Sequence, residues 1–209
     1  MRENKKHPLA IRNADQSDWL QKLESATGRP VKNKLPITGS VLFLLDCSGS
    51  MSSENKLQYA KKGGIEYAVE ANKKNYKVGL ISFGSNAKKI LDPEDFIERF
   101  KNQIMNLEVE GSTNLTDAIH IAREVLVLSF GEKIIFIVTD GYPDDPDSAV
   151  KEAQLAAKSG VEIMTLGTDD ADHIFLNSIA TKKNFSKKVN RDNLQKSIKE
   201  MSKLLPHKR

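Results

Sequence analysis

Short apolar runs, each closed by a polar residue, alternate along this chain with segments of helical periodicity. The runs occupy residues 41–45, 78–83, 134–138 and 161–166. A short, nearly continuous apolar run is typical of a strand that is buried on both faces of a sheet. Because strands that alternate with helices pair in parallel through right-handed crossovers, the pattern predicts an open sheet with helices on both faces.

Helices are predicted where apolar residues recur every three or four positions, over residues 57–71 and 114–129. Asp145 and Pro146 form a cap and first turn for a helix that ends before Gly160. Further helices are predicted at 172–180 and 192–205, with a weak strand at 185–189 between them and a short edge strand at 88–91. The predicted fold class is therefore α/β, a three-layer domain whose mostly parallel central sheet has one short antiparallel edge strand.

The length of 209 residues suits one domain with an appendage. Residues 1–36 are predicted to be a polar N-terminal extension with one short helix, residues 37–205 the domain, and residues 206–209 a basic tail. The short helix would begin after Ser17 and stop at Gly28, and it would carry Trp19, Leu20 and Leu23 on one face. That face either packs back onto the domain or binds a partner, with Trp19 as the anchor.

Charge and composition narrow the function classes. The net charge is +4, and lysines are scattered among acids with only 6% aromatic residues, which argues against nucleic-acid binding. No apolar run approaches the roughly 20 residues of a membrane helix, and the N-terminus lacks the apolar core of a secretory signal. The single cysteine, Cys47, excludes an intrachain disulfide and is predicted to pack as a small apolar group. We therefore expect a soluble cytoplasmic protein without membrane contact.

Three motifs place oxygen-bearing side chains after predicted strands or before a predicted helix. Residues 46–50 read D-x-S-x-S, with Gly49 expected to provide the backbone freedom of a tight turn. Residues 111–114 read G-S-T-N, and residues 139–141 read T-D-G. Ligands of open α/β sheets bind beyond the carboxyl ends of the strands. Because these motifs offer oxygen donors alone, they favour Mg²⁺, Mn²⁺ or Ca²⁺ over zinc or copper.

In this order, the motifs resemble the metal-ion-dependent adhesion site (MIDAS) of von Willebrand factor type A (VWA) domains. The resemblance covers residues 37–205 and implies a Rossmann-like fold. It also implies that the metal is held, directly or through water, by two aspartates, two serines and a threonine: Asp46, Ser48, Ser50, Thr113 and Asp140.

The predicted function is a non-enzymatic, metal-dependent protein-interaction module, an adaptor or a regulatory subunit of a complex. Neutral hydroxyl ligands leave the charge of the metal incompletely cancelled, so the metal attracts an Asp or Glu of another protein. One alternative is a metal-dependent hydrolase or phosphatase with Asp46 as nucleophile. Such enzymes use D-x-D, and Ser48 stands where their second aspartate would be. The other alternative is a metal-free scaffold of the same fold.

Further aspartates lie near the same predicted strand ends. Asp144, Asp145 and Asp147 either tune the metal site or cap the following helix, and capping is the favoured interpretation. Asp169, Asp170 and Asp172 are interpreted as a solvated loop and a helix cap rather than as a second metal site.

Overall fold

A six-stranded sheet forms the centre of the computed structural model, which describes residues 38–168 and 171–206. The strands are β1 (Gly39–Asp46), β2 (Tyr76–Phe83), β3 (Ala87–Glu94), β4 (Glu132–Thr139), β5 (Val161–Gly167) and β6 (Ser186–Lys188). Their order is β3-β2-β1-β4-β5-β6, and every neighbouring pair is parallel except β2 and β3. The predicted fold class, with its antiparallel edge strand, is confirmed.

Six α-helices accompany the sheet within the described ranges. They are α1 (Lys56–Lys73), α2 (Ile97–Met105), α3 (Leu115–Val127), α4 (Pro146–Lys158), α5 (His173–Ile179) and α6 (Leu194–Met201). Helix α2 was not among the predicted elements, although Phe100 and Ile104 are fully buried on it. The last predicted helix is shorter than expected, because 3₁₀ segments at Arg191–Asn193 and Ser202–Leu204 flank α6.

Alternation along the buried strands divides the apolar interior into two layers. In β1, Phe43 belongs to one cluster and its neighbours Leu42 and Leu44 to the other, because successive side chains of a strand point to opposite faces. Residues of α1, α2 and α6 complete the first cluster, and residues of α3, α4 and α5 complete the second. The continuous apolar runs are explained by this double coverage.

The chain order reverses at the centre of the sheet. Strand β1 pairs with β2 on one side and with β4 on the other. The connection after β1 leads to β2 and the connection after β4 leads to β5, so the two leave neighbouring carboxyl ends in opposite directions. The last β1–β4 register pair is Leu45 with Val138, which brings Asp46 beside Thr139 and Asp140. Open α/β sheets bind ligands at this kind of crevice.

Several sequence predictions lie outside the described residues. They include the N-terminal helix with Trp19, Asp169 and Asp170, and the end of the basic tail. Within the part of the chain that the structure describes, no helix is both long and apolar enough to cross a membrane.

Candidate metal centre

Asp46 ends β1 in a fully buried position. Its Oδ1 accepts a 2.7 Å hydrogen bond from the backbone N–H of Ser48, and its Oδ2 accepts one from the Thr139 hydroxyl. Burial raises the pKa of this carboxyl to about 6, although the hydrogen bonds from Thr139 and Ser48 lower it. Both carboxylate oxygens of Asp46 are thus oriented by protein hydrogen-bond donors, and the ionised carboxylate lies in a poorly solvated environment.

Asp140 provides the second carboxylate of the centre, and the hydroxyls of two serines lie near it. Ser48 Oγ is 3.1 Å from Ser50 Oγ, and the Ser50 hydroxyl donates a 2.6 Å hydrogen bond to Asp140 Oδ1. Ser48 and Asp140 are buried, whereas Ser50 is exposed on the 3₁₀ segment Gly49–Asn55. The oxygens of Asp140, Ser48 and Ser50 therefore extend from the protein interior to the surface.

Thr113 reaches the same place from the loop between α2 and α3. If Gly141 carried a Cβ atom, that atom would lie 3.9 Å from both Thr113 Oγ1 and Ser50 Oγ. Asp144 fixes the threonine backbone, since Asp144 Oδ2 accepts from Thr113 N–H at 3.1 Å and Asp144 N–H donates to Thr113 O at 3.1 Å. Gly141 therefore lines a small space between the two hydroxyls.

The loop of Thr113 is joined to the D-x-S-x-S loop through the backbone. Gly49 N–H donates to Gly111 O at 2.8 Å, and Gly111 has a φ of +50° that favours glycine. The expectation for Gly49 is wrong, because its φ is not positive. The left-handed residues in this part of the chain are Glu54 and Asn55, with φ values of 54° and 62°. The turn after β1 thus changes direction later than expected.

The side chains fit a hard, six-coordinate cation. Neighbouring oxygens around Mg²⁺ are about 2.9 Å apart, since an octahedron with bonds of about 2.1 Å has edges of that length. The spacings from Ser48 Oγ to Ser50 Oγ and from Ser50 Oγ to Asp140 Oδ1 lie close to this value. Among the described residues no cluster of three or more His, Cys, Asp or Glu side chains can hold a metal. Protein ligands at this crevice would therefore include hydroxyls beside the carboxylates.

Sequence reasoning assigned no role to Lys56 or Thr139 and favoured helix capping for Asp144, which is wrong because Asp145 is the cap. Lys56 is buried and places its Nζ 2.8 Å from Asp140 Oδ2, Thr139 orients Asp46, and Asp144 holds Thr113. Thr139 lies within the T-D-G motif, and Asp144 had been weighed as a tuning residue, so both left a signal. A lysine that starts a helix is ordinarily solvated, so Lys56 left none.

The predicted caps at Asp145 and Asp172 and the predicted packing of Cys47 are confirmed, whereas Asp147 lies in the first turn of α4 and does not cap it. Asp145 accepts from Ser148 N–H as the cap of α4, and Asp172 accepts from the first N–H groups of α5. Cys47 lies in the apolar interior at 1% exposure, and burial raises the pKa of its thiol to about 12. A thiol in this environment is a packing group.

Comparison with known proteins decides the family. The model of the von Willebrand factor type A domain matches residues 40–203. The chain belongs to the VWA family. Members of this family are protein-interaction and adhesion modules.

Solved VWA structures share the fold at low sequence identity. The vWF domain of the type V pili tip protein Mfa5 from Porphyromonas gingivalis superposes with a TM-score of 0.74 at 15% identity, over 81% of this chain and 95% of that one. Proximal thread matrix protein 1 from the mussel byssus, in a structure with a zinc-occupied MIDAS motif, superposes with a TM-score of 0.67 at 21% identity, over 79% of this chain and 45% of that one.

A curated relative is closer in sequence. The magnesium-chelatase 67 kDa subunit of Heliobacterium mobile is 34% identical over 122 residues, which are 54% of this chain and 18% of that protein. The chain spans at most 27% of the length of the curated relatives it matches. These relatives share one domain with this chain.

Proposed function

We propose that this VWA domain is a metal-dependent protein-binding module, in which a divalent cation links the strand-end crevice to an acidic residue of another protein. One observation carries the proposal: the oxygens of Ser48, Ser50 and Asp140, from two loops, lie near octahedral spacing, and the Thr113 hydroxyl of a third loop faces the same small space beside Gly141. The ligands would be the five side chains of the three motifs, namely Asp46, Ser48, Ser50, Thr113 and Asp140.

The chemistry of these groups favours Mg²⁺, with Mn²⁺ or Ca²⁺ as substitutes. Carboxylate and hydroxyl oxygens are hard ligands, and Mg²⁺ commonly keeps water in part of its coordination shell. The zinc in the mussel protein supports divalent binding at a site of this family. When bound, the cation supplies a Lewis-acidic position that an outside carboxylate can occupy.

The coordination position for the outside carboxylate would face solvent, because the two aspartate ligands are buried on the opposite side. Asp46 and Asp140 approach from the interior, and the exposed Ser50 lies on the outer side. Neutral hydroxyls do not cancel the charge of the metal, so an Asp or Glu side chain of a partner is the preferred outer ligand. An adaptor or regulatory subunit is the role that suits such a site. The cytoplasmic location stays a prediction from the sequence.

The phosphatase alternative is disfavoured by the surroundings of Asp46. A nucleophilic carboxylate must reach the substrate with one free oxygen. Asp46 is fully buried, and both of its oxygens accept hydrogen bonds from Ser48 and Thr139. The other alternative, a metal-free scaffold of the same fold, is distinguished from the proposed function by thermal unfolding with and without metal.

Thermal unfolding with and without metal tests the metal site. At a concentration 100 times its Kd, a ligand stabilises the folded state by about 2.7 kcal/mol, which raises Tm by roughly 5–10 °C in a domain of this size. We expect this increase for the wild type and for Ser53→Ala, an exposed serine of the same 3₁₀ segment. Ser50→Ala should lose most of it. No increase in the wild type at millimolar Mg²⁺ or Mn²⁺ would favour the scaffold.

The outer ligand is tested with acetate as the probe. Mn²⁺ bound to the protein relaxes water protons, and a carboxylate that displaces a bound water reduces this effect. We expect acetate to reduce the relaxation of the Mn²⁺-loaded protein and the isosteric neutral acetamide to leave it unchanged. Equal responses to the two probes would show that the site does not select carboxylates.

A further inference from the structure

Lys56 is a buried cation at the edge of the candidate metal centre. It is 6% exposed, and its ammonium lies 2.8 Å from Asp140 Oδ2. The other oxygen of Asp140 accepts the Ser50 hydroxyl at 2.6 Å. The Asp140 carboxylate therefore contacts both Lys56 and Ser50, which is a candidate metal ligand. A divalent cation at this site competes with Lys56 for this carboxylate.

The backbone before Lys56 supports a specific placement. Glu54 and Asn55 are consecutive residues with positive φ, and they turn the chain from the 3₁₀ segment into α1. Each left-handed non-glycine residue costs roughly 1–2 kcal/mol. Such conformations persist where the surrounding contacts determine them. This turn starts α1 so that its first side chain points into the crevice instead of into solvent.

Formal charges show what the lysine changes. Lys56 contributes +1 to a centre that also holds the carboxylates of Asp46, Asp140 and Asp144. Replacing Lys56 by a neutral residue therefore lowers the charge around a bound divalent cation by one unit. A nearby ammonium therefore weakens the binding of the metal by repulsion, and it leaves more positive charge for an outside carboxylate.

We propose that Lys56 is a built-in counter-cation of this site, which holds Asp140 in the metal-free protein, weakens metal binding, and increases the selectivity of the metal-loaded site for acidic partners. This inference rests on the proposed function and assigns a positioning residue to it.

Calorimetric titration with MnCl₂ tests the competition. Lys56→Met keeps the length of the side chain and removes its charge, and we expect it to bind Mn²⁺ about tenfold more tightly than the wild type. Lys56→Arg, which keeps the charge, should stay within about threefold of the wild-type Kd. The matched control is Lys62→Met, an exposed lysine of the same helix, and it should leave the Kd unchanged. Acetate should bind the Mn²⁺-loaded Lys56→Met protein more weakly than the wild type.

The outcomes separate this inference from the proposed function. Equal or weaker Mn²⁺ binding by Lys56→Met overturns the role of Lys56 and leaves the metal site intact. Binding by Lys56→Met alone supports the role of Lys56 and contradicts metal dependence of the wild type. If neither protein binds Mn²⁺, both ideas fail.

A measurement on the wild type covers the case in which Lys56→Met does not fold. With ¹³C-labelled lysine, the Cε resonance of Lys56 can be assigned by its loss in Lys56→Arg. We expect Mg²⁺ to shift this resonance and to leave that of Lys62 in place. An unmoved Lys56 resonance at saturating Mg²⁺ would overturn the inference.

Discussion

Asp46 and Asp140, at the carboxyl ends of neighbouring strands, are buried alike but stabilised differently. Asp46 accepts hydrogen bonds from two neutral groups, the Ser48 N–H and the Thr139 hydroxyl. Asp140 accepts one from Ser50 and faces the ammonium of Lys56. Burial of an anion is costly unless a positive charge compensates it. In the metal-free protein Asp140 therefore has a nearby permanent cation, whereas the main cost of burial falls on Asp46, whose charge a metal would compensate.

The largest expected effect comes from neutralising each carboxylate in the metal-free protein. Asp140→Asn breaks a buried ion pair and leaves the Lys56 ammonium without this carboxylate, which should cost about 3 kcal/mol of unfolding free energy. Asp46→Asn removes a charge that has neutral donors, so we expect a loss of about 1 kcal/mol or less. Urea unfolding in EDTA measures both values. Equal losses would show that the two environments do not differ in the way described.

A smaller effect tests the neutral donors of Asp46. Thr139→Val removes the hydroxyl that donates to Asp46 Oδ2 and should destabilise the protein by about 2 kcal/mol, because hydrogen bonds to charged acceptors are strong. Thr165→Val is the control, since Thr165 is equally buried and makes a long 3.4 Å contact with Leu176 O. The same urea assay should give a clearly smaller loss for the control. Similar losses would remove Thr139 from the account.

The smallest effect separates two adjacent aspartates on the Asp140 side. Asp144→Ala releases the backbone of Thr113 and should weaken Mn²⁺ binding about tenfold, which is about 1.4 kcal/mol, as is common for groups that orient metal ligands. Asp145→Ala removes the cap of α4 and should cost about 1 kcal/mol of stability with an unchanged Kd. Calorimetry gives the Kd values, and urea unfolding gives the stabilities. A reversed pattern would assign the metal-site role to Asp145.

Much of the fold could be predicted from the sequence because its signals are local. The runs at 41–45 and 134–138 are apolar without interruption since helices cover both faces of the sheet, and the caps Asp145 and Asp172 follow from neighbouring residues. The short helix α2 escaped prediction because only Phe100 and Ile104 are buried on it. Local patterns thus identify the central strands better than the short peripheral helices.

The centre was predictable as a set of motifs and not as a set of contacts. Asp46, Ser48, Ser50, Thr113 and Asp140 could be selected by residue type and order, and the structure brings them together at one crevice. The pairing of Lys56 with Asp140 joins residues 84 positions apart, and that of Thr113 with Asp144 joins residues 31 positions apart. Such contacts depend on the packing of whole elements, which residue spacing does not encode.

Anomalous X-ray scattering from a crystal containing Mn²⁺ tests the central idea most directly. We expect a single Mn²⁺ peak at the crevice, in contact with the hydroxyls of Ser48 and Ser50 and within reach of Thr113 and Asp140, with one coordination position open to solvent. At saturating Mn²⁺, a crevice without a peak, or a peak with no open position, would contradict metal-dependent partner binding by this domain.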